Sequence, residues 1–332
     1  MNKKTDIHVE RAVRPLSFAE IDGVSVGNAH DSDALTGVTV LRFAPAATVA
    51  VEVAGGGPAS RETPLLDPRR GTPVNAVVLS GGSAYGLAAA DGVMQCLEEH
   101  GEGYDTGVVV VPIVCQSCIY DLSYGRSDRR PDAAMGYSAC RNSLEGTHPE
   151  SGNVGAGIGA TVGKARGMAT ASKSGIGYAA AQIGRLQVGV AVVVNAYGDI
   201  YYEGRKLAGL LTTDRGASAD AVAALFETMD DNLFTAASNT TLAVVVTNGA
   251  FDCGQLRQLA TMASCGMARS IRPVFTTADG DTVYAASVGR RRVDANVNTA
   301  GALAAEVMER AIADAIMSSQ ISDEEFLSHV TR

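Results

Sequence analysis

The chain has 332 residues, a formal charge of −9 and 46% apolar residues. That is enough apolar content for a sizeable core, and it excludes a disordered chain. The acidic balance argues against a nucleic-acid surface, which needs a basic stripe, and no apolar stretch reaches the length of a membrane span. The core is built from small side chains, since there are 37 glycines and no tryptophan.

The first fifteen residues carry basic groups without an apolar run behind them, so a secretory signal is not expected. Six cysteines in a chain of this length form no disulfide framework, which predicts a reduced, cytoplasmic protein. Apolar or valine-rich runs predict strands at Val38–Phe43, Ala47–Val53, Ala76–Leu79, Val108–Val114, Val188–Asn195, Leu242–Thr247 and Thr282–Ala286. Several are apolar throughout, so their sheets should be covered on both faces. Helical periodicity predicts helices over Ser83–His100, Gln255–Ile271 and Thr299–Ser318, the last capped by Asn298 or Thr299. Thr212–Ser238 is more polar and reads as a surface connection with a short helical stretch at Ala219–Met229. Together these predict a layered α/β domain.

Several motifs fail on their details. Gly81–Gly86 resembles a nucleophile elbow, but Tyr85 stands where glycine is required, so a tight strand-to-helix turn explains it better. Gly159–Lys164 misses the phosphate-loop pattern at both ends. Gly175–Ala180 fits a dinucleotide pattern but follows no apolar strand, which leaves a nucleotide-binding module as a remote alternative. Cys115 and Cys118 are a lone pair without the second pair a structural zinc would want, and the five histidines show no ligand spacing. No metal or cofactor is expected, and no Ser-His-Asp triad.

One arrangement supplies a base without histidine or metal. A nucleophile at a chain's own N-terminus can use its α-amine, whose pKa of about 7.7–8.0 lies near working pH. The chain must first be cut before an internal Thr or Ser. Asn239-Thr240-Thr241 stands directly before the apolar run Leu242–Val246, so the strand would hold Thr240 at its mouth. The bland reading is a turn or strand cap. Asp279-Gly280-Asp281, before another strand, places two carboxylates around a glycine. They can accept from an amine and a hydroxyl, or they can mark a turn.

Many motifs in one order go beyond either reading: Gly23–Gly27, Thr36–Val40, Ser80–Leu87, Ile119–Leu122, Gly155–Gly157 with Gly163-Lys164, Val193–Asn195, Asn239–Thr241, Val246–Asn248, Asp279–Thr282 and Ala304–Met308. Over nearly its whole length the chain resembles the D-aminopeptidase/esterase type of peptidase family, which includes the β-aminopeptidases. Within it the chain is most similar to the autoprocessing 6-aminohexanoate-oligomer hydrolases. The resemblance implies a four-layer αββα sandwich of the N-terminal-nucleophile-hydrolase kind. It implies a single domain, 1–332, cut between Asn239 and Thr240 into 1–239 and 240–332. It assigns Thr240 as nucleophile, Asp279 and Asp281 as the acidic pair, Asn195 as the amide holding the oxyanion, Lys164 as a lysine touching the nucleophile and Tyr120 as a pocket wall. It implies a homo-oligomer, a tetramer of processed pairs, acting on linear amide oligomers. A β- or D-aminopeptidase with the same machinery is the alternative, and an acyltransferase a remote one. Cys115 and Cys118, just before Tyr120, depart from the pattern.

Overall fold

A computed structural model describes residues 13–67, 71–146, 149–227 and 239–331. Ten strands form the main ladder: β1 (Arg14–Leu16), β2 (Val24–Asp31), β3 (Thr36–Val53), β4 (Ala59–Arg61), β5 (Val74–Ser80), β6 (Val114–Cys118), β7 (Ile176–Ile183), β8 (Leu186–Asn195), β9 (Thr240–Thr247) and β10 (Thr282–Ser287). Their order is β1-β7-β8-β9-β10-β3-β5-β6-β4, with β2 also on β3. The long β3 belongs to two sheets. Its first half pairs with β2 and β5, its second half with β10, and the register shifts between Arg42 and Ala47. Pro45, which has no N–H to donate, sits at this break.

Four helices cover the sheets: α1 (Ala89–Glu99), α2 (Ala133–Leu144), α3 (Cys253–Ser270) and α4 (Val297–Met317). Side chains alternate across each strand and so serve two cores at once. Val190, Val192, Val194, Ala243 and Val245 pack under α3 and α4 with Leu256, Leu259, Val307 and Ile312. Their neighbours Ala191, Val193, Leu242, Val244 and Val246 face the second sheet, where they meet Leu41, Phe43, Val77 and Leu79. The far face of that sheet, with Val38, Val40, Ala76 and Val78, packs on α1 and α2 through Ala89, Val93, Leu97 and Ala139. The layers therefore run helix, sheet, sheet, helix. Strands buried on both faces explain why β8 and β9 read as unbroken apolar runs.

Some sequence expectations needed correction. Val38–Phe43 and Ala47–Val53 are two halves of one strand. The run Val108–Val114 is not a core strand: Val108 is 89% exposed, and Val110–Val111 only pairs with Tyr104–Asp105. The buried strand is the polar VCQSC of β6. It is tolerated there because Gln116 donates to Ser80 Oγ at 2.8 Å and to the Gly86 carbonyl at 2.7 Å, and accepts from the Ala90 amide. The first turns of Ser83–His100 are a 3-10 segment, Ser83–Ala88, and α1 begins at Ala89. Helix α4 is capped by Asn296, whose side chain accepts from Asn298 N at 2.8 Å, not by Asn298 or Thr299. The stretch expected over Ala219–Met229 is a helix at Ala221–Glu227, and the rest of the polar connection, 228–238, lies outside the described residues. Gly175–Ala180 leads into and forms part of β7, not a phosphate-binding turn. A Cβ on Gly177 would lie 2.2 Å from the Ala311 carbonyl, so this glycine lets α4 approach the sheet.

Candidate active site

One rim of the first sheet gathers the residues singled out above. Strands β8 and β9 are antiparallel and Asn195 faces Thr240 in register, so the end of one strand meets the start of the other. Strand β10 runs parallel to β9, with Leu242 opposite Thr282. The residues just before both strands therefore lie side by side, and Asn239 forms a bridge with Asp279. Gly280 N donates to the Asn239 carbonyl at 2.9 Å.

Thr240 is 5% exposed, and its hydroxyl contacts the carbonyl oxygen of Asn239. A Cβ on Gly280 would lie 2.7 Å from Thr240 Oγ1 and 3.0 Å from the Gly57 carbonyl, so only glycine fits between them. Asn239 is itself buried, and its Oδ1 has no hydrogen-bond partner among the described residues.

The two carboxylates are buried and held by backbone amides. Asp281 accepts from Thr241 N at 2.5 Å and from Phe275 N at 3.0 Å. Asp279 Oδ2 accepts from Thr276 N at 2.8 Å and Thr276 Oγ1 at 2.6 Å, while Oδ1 has no partner among the described residues. Burial pushes Asp281 up to about 7, and the charge of Asp279 adds to this. Burial likewise raises Asp279. Two like charges this close share protons as a pair rather than titrating alone.

Lys164 answers them. Its Nζ donates to Asn195 O at 3.0 Å and to Asn195 Oδ1 at 2.9 Å. Burial pushes Lys164 down to about 7, against the pull of Asp279, Asp121 and Asp281. Asn195 Nδ2 donates to the Tyr120 carbonyl at 2.9 Å, and Thr161 N donates to Asn195 Oδ1 at 3.1 Å. One hydrogen of this fully buried side-chain amide is thus committed to the Tyr120 carbonyl. Tyr120, Asp121, Thr161, Lys164 and Met168 line a cavity of about 210 Å³ beside this group. The arrangement provides a buried hydroxyl against a carbonyl, a backbone donor on that carbonyl, two carboxyls raised by burial and an amine lowered by it. These are the parts of acyl transfer.

The match to known proteins agrees with that chemistry. Residues 17–324 match the model of peptidase family S58. The chain belongs to this family. It is 37% identical over 333 residues to an uncharacterised aminopeptidase of Mycobacterium tuberculosis, covering 92% of this chain and 94% of that one. It is 32% identical over 311 residues to the 6-aminohexanoate-oligomer endohydrolase of Kocuria sp. strain KY2, covering 89% and 84%. Among solved structures it is similar to a Burkholderia sp. β-aminopeptidase, with a TM-score of 0.67 and 19% identity over 96% of this chain and 94% of that one. The L-aminopeptidase D-Ala-esterase/amidase of Ochrobactrum anthropi, described as a variant of the Ntn hydrolase fold, matches with a TM-score of 0.67 and 17% identity over 94% and 92%. This S58 peptidase is therefore a hydrolase of amide bonds on an Ntn-type sandwich.

Three elements of the S58 peptidase's rim were given no role by the sequence. The Gly280 amide is a backbone group. Gly55–Gly57 run along the acidic loop, where Gly55 N donates to the Asp281 carbonyl at 3.2 Å and Gly57 N to the Asp279 carbonyl at 2.8 Å. A Cβ on Gly55 would fall 2.3 Å from the Asp279 carbonyl, so the GGG run is the one trace of this contact. Asp121 lines the cavity but finds its partners far away in the chain. Cys115 and Cys118 are free, buried thiols, each pushed up to about 12 by burial. Cys115 packs between the sheets and Cys118 lies against Ser80 Oγ at 3.1 Å, so neither is a reactive group of the cavity wall. Among the described residues, no group of three or more His, Cys, Asp or Glu could hold a metal, and no helix is long and apolar enough to cross a membrane.

Proposed function

We propose that this S58 peptidase is an autoprocessing amidase with Thr240 as its nucleophile. The observation that carries the reading is the Thr240 hydroxyl lying against the Asn239 carbonyl while Gly280 N donates to that carbonyl at 2.9 Å. In processing, Thr240 Oγ1 attacks the Asn239 carbonyl carbon, and the Gly280 amide takes up the charge on oxygen. The C–N bond breaks, the nitrogen gains the hydroxyl's proton, and an ester joins Asn239 to Thr240. Water then cleaves the ester, leaving an Asn239 carboxylate on 1–239 and a free Thr240 amine and hydroxyl on 240–332.

In turnover the Thr240 amine takes the hydroxyl proton as Oγ1 attacks the substrate amide, and returns it to the departing amine. Water releases the acyl group by the same route in reverse. Asp279 and Asp281 orient the amine and hydroxyl. Asn195, held by Lys164, offers its remaining amide hydrogen to the oxyanion, a contribution worth about 3–4 kcal/mol per donor in other hydrolases. Tyr120 lines the pocket for the acyl chain. The substrates are linear amide oligomers, in line with the 32% identical endohydrolase. The 37% identical relatives named as aminopeptidases favour a second reading, removal of single N-terminal units by the same machinery. The family resemblance supports a tetramer of processed pairs, and the free cysteines fit a cytoplasmic protein.

Mass spectrometry of the purified protein tests the reading. Two pieces, 1–239 and 240–332, are expected, with Thr-Thr-Leu-Ala-Val at the start of the smaller one. Thr240→Ala should remain whole and inactive. An intact wild-type chain with full activity would overturn the mechanism.

A further inference from the structure

Asp121 has no part in the reaction assigned to Thr240, yet its carboxylate is fixed with care. It is 4% exposed, and both oxygens are engaged: Oδ2 accepts from Thr36 Oγ1 and Oδ1 from the Gly82 amide, each at 2.7 Å. Bare glycine backbone closes around it. A Cβ on Gly81 would fall 1.9 Å from Asp121 Oδ2, and one on Gly159 would fall 2.8 Å from Asp121 Cβ. Segments far apart in the chain thus converge to hold one charge in one place. That charge borders the same 210 Å³ cavity as Lys164, and the adjoining Tyr120 carbonyl accepts from Asn195 Nδ2 at 2.9 Å.

We propose that Asp121 is a positioning residue of the reacting centre: its carboxylate shares the cavity wall with Lys164 and favours the charged form of that amine, so that Lys164 holds the Asn195 amide in place. The proposal rests on the reading that Asn195 and Lys164 belong to that centre.

The physical argument is charge compensation. A buried ammonium persists only with negative charge nearby. Lys164 is faced by Asp279 and Asp281 from the acidic loop and by Asp121 from the turn after β6. Burial raises both acids of the pair, and the charge of Asp279 raises Asp281 further, so the pair's charge is weakened where it is needed. Burial raises Asp121 as well, while the hydrogen bonds from Thr36 Oγ1 and the Gly82 amide and the charge of Lys164 favour its ionised form. Its other charged neighbour is Lys173, and the Cys118 thiol is close enough to feel its charge. Lys173 already donates to the Ala160 carbonyl at 3.1 Å and to the carbonyls of Gly157 and Ser174, so its own donors are engaged elsewhere. When Lys164 loses its proton, its two bonds to Asn195 lose their charge assistance, and the amide is freer to turn.

The test follows the Lys164 amine directly, by ¹⁵N NMR of the side chain, together with the pH dependence of kcat. In Asp121→Asn the titration of Lys164, and with it the fall of kcat on the alkaline side, should move to lower pH by about half a pH unit or more, because a negative charge that favours the ammonium is gone. Thr36→Val leaves the carboxylate but removes a donor that favours its ionised form, so it should move both in the same direction by less. If Asp121→Asn does not fold, Thr36→Val carries the comparison. A Lys164 titration unchanged in every folded variant, with activity lowered equally at all pH values, would reduce Asp121 to a packing residue and overturn the proposal. Failure of the functional reading would look different: Thr240→Ala would stay active whatever Lys164 does.

Discussion

Asn195 and Thr240 are the terminal register pair of the β8–β9 ladder, one closing its strand and the other opening its own. The pairing places a side-chain amide and a hydroxyl at one edge without help from any loop. Because strands of a buried sheet resist shear, their relative position is as rigid as the core itself. The more adjustable partners, Gly280 and the two acids, come from the loop before β10, and the consequences of altering them can be stated.

Gly280→Ala should slow self-processing. The added methyl meets Thr240 Oγ1 at 2.7 Å and the Gly57 carbonyl at 3.0 Å, so the loop must retreat and its amide must leave the Asn239 carbonyl. Loss of one such donor costs about 100-fold or more in other hydrolases, and the overpacking should cost about 1–3 kcal/mol of stability. The half-time of fragment appearance on a gel reads the first effect. A half-time equal to wild type would remove the Gly280 amide from the mechanism.

Asp281 makes a prediction about pH. Its proton is retained in the fold at pH values where the unfolded chain has lost it, since its value is raised from 3.8 to about 7. The associated stability is complete below about pH 4 and is lost as pH rises through about 7. Asp281→Asn removes this dependence. In an uncut Thr240→Ala background, stability relative to the parent should therefore improve between pH 4.5 and 7.5, by about 1 kcal/mol or more. Urea melts at the two pH values measure it; a constant difference would mean that Asp281 is charged throughout.

Substrate class separates the two readings of function. An exo-acting enzyme must satisfy a buried substrate ammonium, so acylating that amine should cost it about 3 kcal/mol or more, over 100-fold in kcat/KM. An endo-acting enzyme accepts chain on both sides of the cut. We expect a linear aliphatic amide oligomer to be cleaved with and without an acylated N-terminus, giving internal products. Cleavage of the free-amine form alone, one unit at a time, would favour the aminopeptidase reading.

Gly177→Val tests the dinucleotide-like pattern as packing. Its side chain would meet the Ala311 carbonyl of α4, so a loss of about 2 kcal/mol or more in stability is expected. Calorimetry of the wild type with ATP and with NAD should show no binding; a measurable affinity that Gly177→Val abolishes would reverse this view.

Much of the first sheet is legible in the sequence because β8 and β9 bury both faces, which leaves runs of valine, a β-branched residue that favours strands. Asn239-Thr240 and Asp279–Asp281 stand out for the same reason, as polar residues at the mouths of such runs. The stacking of four layers came from the resemblance, since periodicity alone does not say which sheet lies on which. Strand β6 is hidden because its burial depends on Gln116 finding Ser80 and Gly86, partners that only the fold brings near. Helix α2 is hidden by its small residues: Gly136 lies where a Cβ would be 1.9 Å from the Ala89 carbonyl of α1, so tight helix contact replaces a strong apolar stripe. Asp121 is missed because Thr36 and Gly82 identify it as a fixed charge, and both are remote in the chain.

The position of β9 at the heart of the first sheet has a consequence for refolding. Everything after Asn239 supplies two of its inner strands and both helices above it, so a break there would leave two chains that interlock along their whole length. The native pair should melt in one transition and elute as one particle. Once denatured, however, the pieces would have to find each other by diffusion, and recovery would depend on concentration, as it does not for the uncut chain. Self-cleavage would thus convert a molecule that can refold on its own into one whose lifetime is set by how slowly it first comes apart.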